Sequence, residues 1–323
     1  VGLTDVAAFA AIYGIWGSTY LGVKLAIGSI PPLTMTAARA FLAGAILYGW
    51  GRWRGAPPPT PAHWAGGAAV GAALFLGAHG GVAWAEQRVP SGVAALIIAT
   101  VPLWMTVIEA STGRAATIGT RSLIGIVLGM AGVLLLVGPR GVMAGEPVDT
   151  LGAIVLVGAA LSWSAGSALS RRTPRPASLT LTNGTYLLTG AVMLFAAGVV
   201  RGELHGFDVR AVTERSLVAL CYLVVMGSVV AFGAYSWLLR RRSLTAISTY
   251  AFVNPIVAVV LGWAVGGEVL DGRVLASAAL VVGAVVLILS ARTAAAGRSF
   301  SAVRTERPPR RTVAVPQGVE ECA

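Results

Sequence analysis

The sequence predicts an all-α membrane protein whose ten transmembrane helices form two inverted five-helix repeats. Three observations carry that expectation. First, the 323 residues are 56% hydrophobic and 11% charged, with a mean hydropathy of +0.79, whereas charged residues make up about a quarter of a soluble domain. Second, the apolar stretches run roughly 18 to 25 residues, enough at about 1.5 Å per residue to cross a hydrocarbon core about 30 Å thick. Third, the second half repeats the first. Trp16 is matched by Trp163, Lys24 by Arg171, Leu33-Thr34-x-Thr36 by Leu179-Thr180-x-Thr182, Gly44 by Gly190, Trp84 by Trp237 and Pro102 by Pro255. Five crossings per half send the second half into the bilayer from the opposite side, so the repeat is inverted.

Spans are expected at residues 6–27, 33–50, 63–86, 90–110, 121–138, 151–170, 178–200, 216–239, 244–265 and 274–291. The strict alternation of barrel strands is absent, so helices are what satisfies the backbone in lipid. Their Gly and Ala content favours close helix contacts. The first span is too long for a signal-peptide core and lacks a basic leader, so it is expected to act as an uncleaved anchor. On it Trp16, Tyr20 and Lys24 recur at i, i+4 and i+8, forming one stripe, and the sixth span repeats that stripe with Trp163, Ser167 and Arg171. The second span holds Arg39, and the Pro-rich stretch Ala56–Pro61 after it is a short loop. His79, Ala83 and Glu86 form a face on the third span. Pro102 and Pro255 stand mid-span in the fourth and ninth, each removing a ladder hydrogen bond and freeing a carbonyl. Thr100 and Asn254 flank them, and Tyr250 shares a face with Asn254. Trp84 and Trp237 either wall the space beside these residues or anchor span ends at the interface. The repeat divides the chain into residues 1–143 and 144–291, followed by a polar, Pro- and Arg-rich tail, 292–323, expected to be disordered and cytoplasmic.

The net charge of +11 would suggest nucleic acid in a soluble protein, but its distribution points to a lipid bilayer instead. Arg52, Arg54, Arg114, Arg121, Arg171, Arg172, Arg175, Arg240 to Arg242 and the tail fall on one set of alternate loops. The opposite loops mix fewer arginines with acids. By the positive-inside rule both termini are cytoplasmic, as an even number of spans requires. Lys24, Arg39 and Glu86 then lie in the outer third of the first half. Ionisable groups at membrane depth are costly and therefore functional candidates. Lys24 and Arg39 are suited to an anionic group such as a carboxylate, with Glu86 pairing one of them or carrying a coupling proton. The structural alternative is an Arg39–Glu86 salt bridge with Lys24 snorkelling to the interface. His79 either relays protons or packs through hydrogen bonds, and Glu109 is expected to pair with Arg114 at the inner interface.

Enzyme signatures are missing. The three histidines, His63, His79 and His205, lie on separate segments, and paired-cysteine, HExxH and GxSxG arrangements are absent. Cys221 and Cys322 indicate no disulfide framework. The glycines lie within apolar helices rather than in a phosphate-binding loop, so no nucleotide, metal or other cofactor is implied. An ion or solute gradient has to supply the energy for any pumping.

The stretches WGSTYLGVKLAI from Trp16, PPLTMTAARAFLAG from Pro31, AEQRVPSGVAAL from Ala85 and ATVPLW from Ala99, with Asn254-Pro255 and GGEVL from Gly266 in the second half, resemble the EamA-type family of the drug/metabolite transporter superfamily. The likeness covers nearly everything but the tail. It implies a bundle of two inverted halves in which the first, third, fourth, sixth, eighth and ninth spans line a cavity. It also implies transport of amino acids, amines or carboxylates by alternating access, often outward. Carried over by position, the substrate-binding candidates are Trp16, Ser18, Thr19, His79, Trp84, Trp163, Tyr235 and Asn254, with Lys24, Arg39 and Glu86 at the outer side. The first half departs from the pattern: where a Gly-Glu pair is expected after its fourth span it reads Ser111-Thr112-Gly113, while Gly267-Glu268 keeps the pair in the second half. The expected function is export of small zwitterionic or anionic metabolites across the cell membrane, with proton or solute counter-transport as the energy source. Alternatives are an uptake permease, a broad-specificity drug exporter, or a scaffold or sensor that transports nothing and has a packed midplane.

Overall fold

Proline and hydroxyl residues open most of the helices, because neither leaves a first-turn N–H unsatisfied. A computed structural model of the chain describes residues 3–111, 120–137, 148–241 and 250–305. Ten helical segments lie among these residues: α1 (Leu3–Ala26), α2 (Pro32–Trp53), α3 (Pro61–Ala85), α4 (Ser91–Ile98, resuming as Val101–Ser111), α5 (Thr120–Val137), α6 (Thr150–Leu169), α7 (Leu179–Val200), α8 (Glu214–Tyr222 running on through Leu223–Ala231 and Phe232–Arg241), α9 (Tyr250–Ala264) and α10 (Gly272–Thr305). Pro32 and Pro61 begin α2 and α3, and Pro90 precedes α4. The side chains of Asp149, Ser178 and Thr213 accept the first free N–H groups of α6, α7 and α8.

Six segments are long and apolar enough to cross a membrane: α1, α3, Ser91–Ile108 of α4, α6, α7 and Glu214–Leu238 of α8. Shorter apolar stretches lie within α5, α9 and α10. Large apolar side chains cover the outer faces, among them Phe41, Leu42 and Ile46 on α2 and Val192, Phe195 and Val199 on α7. A monomer in water does not leave that much contiguous apolar surface exposed, whereas lipid accepts it.

The broadest helix contact joins α2 to α7, followed by α5 to α10. Small residues permit the first: a Cβ on Gly44 would lie 3.0 Å from the Leu188 backbone nitrogen, and one on Gly184 would lie 3.0 Å from that of Tyr48. Two carboxylates from outside each helix also cap helix starts. Glu203, after α7, accepts from the N–H groups of Leu33 (3.1 Å) and Thr34 (2.8 Å) at the start of α2. Glu268, after α9, accepts from the N–H groups of Ser91 (2.6 Å) and Gly92 (3.0 Å) and from the Ser91 hydroxyl (2.6 Å) at the start of α4. Each satisfies orphan donors at the positive end of a helix dipole.

The elements depart from the sequence expectation in three places. Only one of the two mid-span prolines breaks its helix. Before Pro102 the chain turns at Ala99 and Thr100, where the Thr100 hydroxyl and N–H both donate to the Ile97 carbonyl (2.7 and 3.1 Å). Val253 holds the corresponding position before Pro255 and has no hydroxyl to make that turn, so α9 stays continuous. α3 and α8 are each widened into π-type turns, over Ala72–Gly80 and Leu223–Ala231, which periodicity alone does not reveal. α10 continues to Thr305, into the stretch expected as tail, through an Ala-rich segment of good helix formers. Residues 306–323, the Glu109–Arg114 pairing and the middle of the Ser111-Thr112-Gly113 run lie outside the described residues or side chains.

Candidate functional site: a central cavity beside an aromatic cluster

Residues from both halves surround a central cavity of about 110 Å³. α1 contributes Trp16, Thr19 and Tyr20, α2 contributes Thr36 and Arg39, and α3 contributes His79. The broken centre of α4 contributes Ile98 and Ala99, α6 contributes Trp163, and α9 contributes Tyr250, Ala251, Asn254 and Pro255.

Arg39 is 6% exposed and held in place by α8. Its Nε–H donates to the Ser228 hydroxyl at 2.9 Å, while the next residue back, Gly227, has no side chain to displace it. A Cβ at 227 would lie 3.0 Å from Arg39 Nη2 and 3.1 Å from the Thr19 methyl. The Gly227 carbonyl also accepts the Trp16 indole N–H at 3.2 Å. The widened turns of α8 thus fix the cation and one wall of the cavity together. Asn254 satisfies its amide nitrogen against the backbone carbonyls of Tyr13 (3.3 Å) and Tyr250 (3.2 Å), an orientation assigned from hydrogen bonding.

A second space of about 660 Å³ lies toward Arg171 and Arg175, bordered also by Ser167, Asn183, Tyr186 and Ser236. Trp163 and Tyr250 border both spaces. Between them is a cluster of rings: Trp16 lies 5.0 Å from Tyr235, 5.3 Å from Tyr250 and 6.3 Å edge-on from Trp163. His79 stacks on Trp163 at 5.5 Å and meets Phe75 edge-on at 5.1 Å. This partition is built from tilted, stacked and T-shaped pairs, each worth about 0.5–1.5 kcal/mol beyond burial.

At the opposite end Lys24 ties α1 to the end of α3, its Nζ donating to the backbone carbonyls of Glu86 (2.5 Å) and Val89 (3.4 Å). The Glu86 side chain is fully buried and neither carboxyl oxygen has a hydrogen-bond partner. Glu86 therefore hydrogen-bonds neither Arg39 nor Lys24 through its side chain. The alternative of an Arg39–Glu86 salt bridge is not what these side chains form: the Arg39 Nε–H donates to Ser228, and the Lys24 ammonium donates to backbone carbonyls.

The structure brings Trp16, Thr19, Arg39, His79, Trp163 and Asn254 of the sequence candidates to the small cavity, and Tyr235 to the larger space beside it. The other four lie elsewhere. Ser18 bonds the Ile15 carbonyl (2.8 Å) and the Tyr222 hydroxyl (2.5 Å), joining α1 to α8. Trp84 sits at the rim under the guanidinium groups of Arg88 (5.0 Å) and Arg201 (5.7 Å). Its repeat mate Trp237 packs likewise against Arg241 at 4.5 Å, which fits the interface-anchor alternative for both. Lys24 and Glu86 meet where α1 packs against the end of α3, and neither lines the cavity. The sequence reading missed Gly227 and Ser228, whose only signal was a Gly-Ser pair in the middle of an apolar span. It also missed Thr36, although that residue belongs to the repeated Leu-Thr-x-Thr run.

A buried cation and a cluster of aromatic rings border two cavities inside an apolar helical bundle, an arrangement suited to a membrane transporter. The pattern of the EamA-like transporter family matches residues 5–138 and again 150–290. The chain belongs to that family. It is 35% identical over 285 residues to the inner membrane transporter YedA of Escherichia coli K12, covering 87% of this chain and 89% of that protein. It is 25% identical to the protein PecM of Dickeya dadantii over 88% of this chain and 92% of PecM. It is also 23% identical to a probable amino-acid metabolite efflux pump of Salmonella typhimurium, over 83% and 89% of the two chains. A solved crystal structure shares the fold with a TM-score of 0.62 at 20% identity, over 88% of this chain and 97% of its own.

Proposed function

We propose that this protein is a secondary transporter of the cytoplasmic membrane that exports small zwitterionic or anionic metabolites by alternating access between two inverted five-helix halves. The observation that carries the reading is the cavity itself, bounded by both halves and holding a buried, Ser228-pinned Arg39. That cavity, bordered by Asn254 and Trp163, counts against a scaffold or sensor with a packed midplane. The twofold match of the family pattern supports the division into repeats at 1–143 and 144–291. So does the packing of α2 on α7 and α5 on α10, which are repeat mates.

Substrate enters from the larger space, which the arginine-rich loops assign to the cytoplasm. It passes the rings of Trp163 and Tyr250 and delivers its carboxylate to Arg39. Release requires the outer end to open where Lys24 holds the end of α3. The cavity volume, well under the roughly 300–1,000 Å³ of a drug-sized site, favours small metabolites over bulky drugs. The name of the Salmonella relative supports amino acids and outward transport. Glu86 is the candidate carrier of a coupling proton, being buried, ionisable and without a hydrogen bond to its carboxyl oxygens. Counterflow of amino acids, carboxylates and amines in proteoliposomes, with and without a pH gradient, tests the reading. Exchange of an amino acid or carboxylate, lost in Arg39→Leu, is expected. Exchange of amines alone, or of nothing, refutes it. A C-terminal reporter found outside the cell overturns the topology.

A further inference from the structure

The walls of the central cavity carry opposite charge. Arg39 on α2 supplies the positive side. Another part of the lining is the broken end of α4, where Ala95, Ile98 and Ala99 border the cavity. A helix end of this kind presents unsatisfied carbonyls and about half a negative charge. The positive end of the same half-helix is already neutralised by Glu268.

At the break, the Thr100 hydroxyl and N–H both turn to the Ile97 carbonyl, and the Leu103 N–H turns to Thr100. Pro102 has no N–H for Ile98, so that carbonyl loses its ladder partner. On α9 the repeat-equivalent Pro255 does the same to Ala251, and both residues border the cavity together with Asn254. The side-chain amide of Asn254 gives its nitrogen to Tyr13 and Tyr250, which turns its oxygen, an acceptor with two lone pairs, to the side where donors lie.

We infer that the carbonyls of Ile98 and Ala251, freed by repeat-related prolines, form with Asn254 a subsite for a cationic group: the primary ammonium of a zwitterionic substrate whose carboxylate lies on Arg39. This rests on the assignment of Arg39 as the carboxylate site. The two prolines thereby become specificity determinants: they discriminate an amino acid from the same acid without its amino group.

The test uses the full chain in detergent and reads tryptophan fluorescence, since Trp16 and Trp163 border the cavity. Alanine, serine and threonine are each titrated against their deaminated acids and decarboxylated amines, in sodium chloride and in choline chloride. The amino acid is expected to bind at least about tenfold more tightly than either fragment, in both salts. Pro102→Ala and Pro255→Ala, each returning an N–H to the freed carbonyl, shrink that advantage while leaving the affinity for the deaminated acid in place. If the acids bind as tightly as the amino acids in both salts, and Arg39→Leu abolishes both, the Arg39 assignment stands and the cation subsite is refuted. If the acids gain affinity in sodium that the amino acids do not, a free sodium ion occupies the subsite and the ammonium assignment is overturned. If no compound in the panel binds, the proposed function falls and this inference with it. The comparison on the unaltered chain decides the matter even where a proline variant fails to fold.

Discussion

Replacing Glu268 perturbs the bundle at a point where the cost can be worked out bond by bond. The carboxylate accepts from the Ser91 N–H (2.6 Å), the Ser91 hydroxyl (2.6 Å) and the Gly92 N–H (3.0 Å), all at the start of the half-helix that ends at the cavity. Glu268→Gln keeps one carbonyl oxygen for Ser91 but turns an NH2 group toward the Gly92 N–H. It therefore loses one charge-assisted bond and the favourable charge at the dipole, about 2 kcal/mol together. Glu268→Ala strips all three bonds. Water reaches part of this half-buried site and re-solvates the freed donors, so the cost is about 3–4 kcal/mol rather than the sum of three full bonds. Thermal unfolding of the full chain in one detergent at a fixed scan rate reads the effect, with the exposed neighbour Val269→Ala as control. The expected order of midpoints is control equal to wild type, then Gln, then Ala. If both Glu268 variants unfold with the control, the trans-cap contributes nothing and the reasoning is wrong.

Three further outcomes follow from the same geometry. Arg39→Leu is expected to weaken binding of a transported carboxylate by about 10- to 100-fold, the worth of hydrogen bonds to a charged group, while Arg39→Lys restores only part because an ammonium cannot hold Ser228 and fork a carboxylate at once. Equilibrium binding checks this, and unchanged affinity in a folded Arg39→Leu variant removes Arg39 from the site. Glu86→Gln loses no hydrogen bond, so the thermal midpoint stays level or rises, while any effect of a pH gradient on counterflow disappears; a gradient effect that survives the change clears Glu86 of proton coupling. Gly44→Val forces a side chain into the Leu188 backbone and is expected to cost about 1–3 kcal/mol by overpacking, so a variant as stable as wild type in the same thermal assay contradicts the close α2–α7 contact.

Much of the scaffold was legible because bilayer thickness and backbone chemistry leave few choices. A run of apolar residues of sufficient length has to become a helix, and matching landmarks such as Trp16 with Trp163 expose the repeat. The site was legible in part. Arg39 and Asn254 stood out as polar residues at membrane depth, and both reach the cavity. Lys24 and Glu86 stood out for the same reason but do not border the cavity, because sequence gives depth along a span but not which neighbour a side chain meets. Ser18 shares a helix turn with Thr19 but faces Tyr222 on α8 instead of the cavity.

The sequence by itself determined the membrane class, the positions of the apolar helices and the landmarks shared by the two halves, since composition and periodicity act locally along the chain. Tertiary structure decided the partners. It gave the Arg39 Nε–H to Ser228 rather than to Glu86, and it set Trp84 beneath arginines at the rim. It also brought two similar prolines' neighbourhoods, one a broken helix and one a continuous helix, to the same cavity. The Arg39–Ser228 contact joins residues 189 positions apart, where hydrogen-bond donors compete for acceptors that no local pattern reveals.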